Sequence, residues 1–269
     1  MLLETLRNMM TNAHLHYKET FSAVDFRRQT VCFCAGSEAE FAAATSFARA
    51  VNGDAGGICA GGAGVALVSA GVHPWTLKEV LTGGAGTNGP LLGWLESLLA
   101  EHPGDVAAVG ECGIDLYTPQ FKELLPMQRA VFEMQMDFAA LYKKPLVIHM
   151  RKALEYMIEY SPQLRKVPAV LFHSFPGSIE DCKSILSHSV NAFFSFGSGF
   201  MRGGKKAAEC IAKLPAERLL LETDDEESAP SMIAAVFEAA AQLRGVSVEE
   251  LCAVCEKNFR QVYCLSELL

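Results

Sequence analysis

The 269-residue chain has no uncharged apolar run approaching the roughly 18 residues of a membrane span. Its first ten residues carry Glu4 and Arg7 where a secretory leader needs an unbroken apolar core. With both absent, no membrane partner is predicted and the expected location is the cytoplasm. Basic charge is also short. The chain has 23 Lys and Arg against 31 Asp and Glu, a formal net charge of −8, and a pI of about 5.4. Proteins that grip nucleic acid over a long footprint are usually basic, so any such contact here should be local to one site. No G-x-G-x-x-G or Walker A pattern follows a strand-like run, and the Gly-rich stretches 53–64 and 83–89 read as flexible connections. Nine cysteines are an odd number in a chain too large to depend on disulfides. Cys32 and Cys34 form a lone C-x-C, and Cys252 and Cys255 a C-x-x-C with no second pair. These, and Cys112, are expected to be reduced, buried thiols.

What the chain does have is alternation. Eight short runs rich in Val, Leu, Ile and Phe lie at about 9–14, 30–35, 64–72, 106–111, 145–149, 169–173, 191–196 and 218–223, with helical patterns between them. Continuous apolar strands of this kind are buried on both faces. Eightfold strand–helix repetition predicts an α/β fold, a (β/α)8 TIM barrel spanning 1–269 as one domain. Between Gln120 and Lys143 a stripe of Leu124, Met127, Val131, Met134, Phe138 and Leu141 predicts the buried face of a long helix. Ser178-Ile179-Glu180-Asp181 reads as a capping box, and Ser247 as the cap of the last helix.

Five of the seven histidines sit at the ends of these runs: His14, His16, His73, His149 and His173. Glu111 and Asp224 end two others. In a barrel all such ends converge on one mouth, and packing gives no reason for imidazoles and carboxylates to gather there. Alternation along a strand puts His14 and His16 on the same side, so one ion can be chelated by both. Glu111 can bridge to a second ion completed by His149 and His173. Asp224 can hold the first ion and accept a proton from its water. Two divalent ions so placed would activate a shared water. His102 and His188 fit no strand end and are expected to face solvent.

Four blocks carry a resemblance: Gly110-Glu111-Cys112-Gly113-Ile114-Asp115, His149-Met150-Arg151, His173-Ser174-Phe175-Pro176-Gly177-Ser178 and Arg218-Leu219-Leu220-Leu221-Glu222-Thr223-Asp224. With Gly71-Val72-His73-Pro74 and Asn258-Phe259, they resemble, in order, the signature blocks of the TatD family of metal-dependent deoxyribonucleases. The resemblance implies a TIM barrel of the amidohydrolase type, the ligands named above, and hydrolysis of DNA phosphodiesters, with Glu111 and Asp224 catalytic. It further implies removal of nucleotides from 3′ ends of single-stranded DNA. His73 and Arg151 are expected to bind substrate, Arg151 as a bidentate phosphate donor. Imidazole ligands favour Zn, Mn, Co or Fe, whereas the family's habit is Mg.

The chain also departs from the family pattern. Asn12 replaces an aspartate, Trp75 a histidine, Pro176 a serine, and Asp225-Glu226 a small residue and proline. Asn12 is expected behind the ligands, and the rest around the substrate. The loop Gly197 to Lys206 reads either as a phosphate grip or as a solvated helix start. Trp75 and Phe200 read either as base-stacking rings or as packing. Two other functions stay open, a metallohydrolase of an amide, lactone or aminoacyl ester, and a non-catalytic metal-binding scaffold. Relatives of the first kind often bridge their metals with a modified lysine after strand four, where this chain has Glu111 and no lysine.

Overall fold

The computed structural model describes residues 10–27, 29–53, 64–77 and 91–265. The Gly-rich segments 54–63 and 83–89 lie outside them. The apolar runs form β1 (Thr11–His16), β2 (Thr30–Ala35), β3 (Ala66–Ala70), β4 (Val109–Asp115), β5 (Leu146–Arg151), β6 (Val170–Phe172), β7 (Ala192–Phe196) and β8 (Leu219–Leu221). They pair in parallel in that order. The ring closes where His16 N–H donates to Asp224 O and Asp224 N–H to His14 O, both at 3.1 Å. This is the expected TIM barrel. Helices follow each strand in turn: α1 (Ala23–Phe26), α2 (Glu38–Asn52), α3 (Gly93–Glu101), α4 (Leu125–Leu141), α5 (Leu154–Glu159), α6 (Ile179–Ser187), α7 (Lys205–Lys213) and α8 (Ala229–Arg244), with α9 (Val248–Val262) after α8. Capping boxes at Ser178 and Ser247 open α6 and α9. Seven described cysteines, among them Cys32, Cys34, Cys112, Cys252 and Cys255, are buried free thiols. No described helix is long and apolar enough to cross a membrane.

Two sequence expectations need correction. Strand β4 runs on to Asp115, so Glu111 lies inside it and not at its end. Two glycines permit this. A Cβ on Gly110 would lie 2.3 Å from Val147 O and one on Gly113 2.1 Å from His149 O, and their φ values are +143° and +139°. Only residues without side chains let β4 lie this close to β5.

The second correction concerns α4. Met134 and Leu141, both in the anticipated apolar stripe, are exposed, and the buried face instead carries Gln128, Phe132, Gln135, Met136 and Ala139. The glutamines answer main-chain groups that the strand ladder leaves open. Gln135 accepts from Val72 N–H at 2.7 Å and donates to Val72 O at 3.1 Å. Gln128 does the same for Asp115, at 2.7 and 3.0 Å. Replacing Gln135 with Leu keeps the volume but orphans two buried main-chain groups, at about 1–3 kcal/mol each. Chemical denaturation of Gln135→Leu should show a loss of roughly 2–6 kcal/mol, and Met134→Gln almost none. An equal response of the two variants would contradict the assignment.

Candidate metal centre

The strand ends bring all seven anticipated mouth residues together around Glu111. Its Oε2 lies 3.4 Å from His14 Nε2 and 3.3 Å from His16 Nε2. Its Oε1 lies 3.0 Å from His73 Nε2, 2.8 Å from His149 Nδ1 and 2.6 Å from His173 Nε2. Each oxygen of one buried carboxylate thus faces its own set of imidazoles. Asp224 Oδ1 joins the first set, 3.7 Å from His14 and 3.8 Å from His16. Asp224 has φ +52°, a left-handed conformation that aspartate tolerates, at the point where its main chain meets β1.

The donor set fits divalent cations. Both ring nitrogens of His14 and Nδ1 of His173 are buried without a hydrogen-bond partner, an expense that native interiors rarely carry without an ion or water. Groups of three donors within one ion's reach include His14, His16 and Asp224, and His14, Glu111 and His173. No such group among the described residues includes a cysteine.

Residues behind the ligands orient them. Asp115 Oδ2 sits 3.0 Å from His149 Nε2, so a proton held there leaves Nδ1 turned to Glu111. Asp115 also accepts from Trp75 Nε1 at 2.8 Å and from Tyr117 N–H at 2.7 Å. Glu222, fully buried, accepts from Ser195 Oγ and from Ser174 N–H and faces His173 Nδ1 at 3.7 Å. Ser174 Oγ in turn donates to Asp224 Oδ2 at 3.0 Å. Neither Asp115 nor Glu222 was assigned a role from sequence, though both lie in the quoted blocks. The available signal was a carboxylate inside an otherwise apolar strand context. Asn12 joins Thr223, donating to its Oγ1 at 2.7 Å and accepting from its N–H at 3.0 Å. It ties β1 to the end of β8 and stays behind the ligands.

Electrostatics follow this geometry. Burial pushes the Glu111 carboxyl up, but His173 and the other imidazoles outweigh it and hold it well below the usual range. Burial lowers His14 and His73. In His149 burial is overcome by the bonds to Asp115 and Glu111, and in His173 by Glu111 and then Glu222, so both are raised. His16 is raised in the same way by Glu111 and Asp224. Asp115 is held at about 2, its burial outweighed by bonds from His149, Trp75 and Tyr117. His73 accepts from Trp75 N–H through Nδ1 at 3.1 Å. The neutral, metal-free ring then carries its proton on Nε2, which faces Glu111 Oε1 at 3.0 Å.

Beside Asp224 a cavity of about 660 Å³ is lined by Arg151, Ser174, Pro176, Lys206 and Asp225, among others. In the loop after β7, Phe200 is buried and packs into the core. Arg202 is bound to Ser198 Oγ at 2.8 Å and to Glu226 at 3.2 Å. Asp225 is paired with Lys18 at 2.7 Å. His102 is exposed, whereas His188 is half-buried, donating through Nδ1 to Ser184 O at 2.8 Å at the end of α6.

A parallel barrel with carboxylates and histidines gathered at one mouth is the arrangement of a metal-dependent hydrolase. The chain belongs to the TatD related DNase family, whose model matches residues 13–264. It is 30% identical over 215 residues to a 3′-5′ ssDNA/RNA exonuclease TatD of Pantoea ananatis, covering 73% of this chain and 77% of that one. It is 27% identical over 184 residues to the uncharacterized metal-dependent hydrolase YabD of Bacillus subtilis, covering 64% and 70%. The fold is similar to that of the TatD homolog YJJV from Escherichia coli, with TM-score 0.75 and 21% identity, covering 95% of this chain and 98% of that one.

Proposed function

We propose that the chain hydrolyses phosphodiester bonds of single-stranded nucleic acid, removing nucleotides from the 3′ end, with two divalent ions as cofactors. The observation that carries this reading is the division of Glu111, one oxygen toward His14 and His16 and the other toward His149 and His173. His14, His16, Glu111 and Asp224 would hold one ion, and Glu111, His149 and His173 the second. When bound, such a pair lowers the pKa of a shared water and stabilises charge on the attacked phosphoryl oxygen. The identity of the ions, among Zn, Mn, Mg, Co and Fe, follows from loading experiments. Asp224 takes the proton from the attacking water. His73 and Arg151 bind the substrate, Arg151 clamping its phosphate from the cavity wall. The relatives named as single-strand exonucleases support the substrate class, and the free thiols suit the cytoplasm.

Among the described residues the Arg151 side chain has no hydrogen-bond or ion-pair partner, and it lines the cavity beside Asp224. Arg151→Ala should lower kcat/KM on single-stranded oligonucleotides by about 10- to 1,000-fold, the loss of one charge-assisted donor, with metal content unchanged. The acidic chain should bind through few phosphates, so its log–log salt slope should be shallow. Efficient turnover of a small neutral ester or amide, unaffected by Arg151→Ala and without cleavage of oligonucleotides, would favour the amide, lactone or aminoacyl ester alternative.

A further inference from the structure

Trp75 lies on the rim of the centre, and the hydrolytic reading leaves its ring without a task. One face lies parallel to Phe121, at 8° with centroids 6.0 Å apart, and the Nε1 edge is bound to Asp115. The residue is nevertheless 54% exposed. An indole fixed at one edge and covered on one face keeps so much surface open only by presenting its other face to solvent. Its centroid is 5.1 Å from that of His73 and 5.8 Å from that of His149, both rings nearly perpendicular to it, so the exposed indole borders the centre. The hydrogen bond and the Phe121 stack fix its orientation in advance, and a second ring settling on it would cost little side-chain entropy.

We propose that Trp75 is the platform on which the base beside the scissile phosphate stacks, completing a Phe121–Trp75–base sandwich. This rests on the nucleic-acid reading and adds a contact to a base, which that reading lacks. The surroundings suit it. Tyr117 is 65% exposed, and Lys152 Nζ lies 4.7 Å from its ring centre. Single-strand binders combine aromatic and basic groups in this way, and stacking accepts any base because each has a π face. Recognition at this position should therefore be indifferent to sequence.

The chain has two tryptophans, Trp75 and Trp94. Trp94→Phe, on α3, leaves Trp75 as the sole indole fluorophore. The probe is a short single-stranded oligonucleotide with phosphorothioate linkages at its 3′ end, compared with one whose last positions are abasic. The base-bearing probe should quench Trp75 emission and the abasic one should leave it unchanged. Equal quenching by both, or none by either, overturns the proposal. Kinetics on the corresponding cleavable substrates supply a second readout. Trp75→Ala should raise KM about 5- to 150-fold for the base-bearing end, the equivalent of one stacking contact. The rise in KM should be far smaller for the abasic end, any loss of kcat through Asp115 being common to both substrates, with Trp75→Phe intermediate. A tryptophan that only braced Asp115 would slow both substrates alike through kcat, which also overturns the proposal. If the wild type cleaves neither substrate, the nucleic-acid reading falls and the base contact with it. Cleavage of both without the difference removes the base contact alone.

Discussion

Glu111→Gln is expected to lower kcat by several orders of magnitude and to empty both metal positions. Five imidazoles lie within 3.4 Å of this one carboxylate. The amide keeps its size but carries no charge, and one of its two faces becomes a donor pointed at ring nitrogens. A shared carboxylate cannot be lost from one half of the cluster alone, so elemental analysis should show both ions weakened together. The barrel itself should persist, because the imidazoles that Glu111 holds protonated can become neutral once it is gone. Circular dichroism checks this. His102→Ala, at an exposed position, is the matched control and should behave as wild type. Near-normal kcat in Glu111→Gln at saturating metal would show that the two sets do not share this carboxylate.

Chelation should abolish turnover, and reloading with Mn or Zn should restore it with about two ions per chain, as two-metal hydrolases require. Uptake should also release protons. His16, His149 and His173 have pKa values raised above 6.5 in the metal-free protein, so at neutral pH part of the population holds a proton that an incoming ion must displace. The sign is set by the ligand form. Neutral imidazole binds metal, so affinity should rise with pH by about tenfold per unit for each proton displaced, and level off above the raised values. Calorimetric titration at pH 7 in two buffers of different ionisation heat measures the protons released. No uptake after reloading would end the metal-centre assignment.

Much of this was legible in the chain because the barrel repeats one simple pattern. Apolar runs mark the strands, and the polar residues that close them mark the mouth, so His14, His149 and Asp224 stood out by address alone. The buried face of α4 was not legible. Periodicity weighs hydrophobicity, and there it is overruled by Gln128 and Gln135, whose partners are main-chain groups on distant strands. Asp115 and Glu222 stayed hidden for a related reason. Their task is to hold other side chains, and such a partnership has no local spacing. Trp75 read ambiguously because its two faces differ, and only the position of Phe121 tells which is covered.

The main-chain bonds that join the last strand's end to the first belong to His14, His16 and Asp224, whose side chains converge on one prospective ion. Such an ion fastens positions roughly 210 residues apart, a closure whose entropy grows only slowly with length but is large at this span. It would act as a clasp on the hoop as well as a reagent in its mouth, and three-residue β8, one of the two shortest staves, lies at the clasp. Stripping the metal should accordingly quicken amide exchange first at His16 and Asp224, while the staves on the far side of the hoop keep their protection.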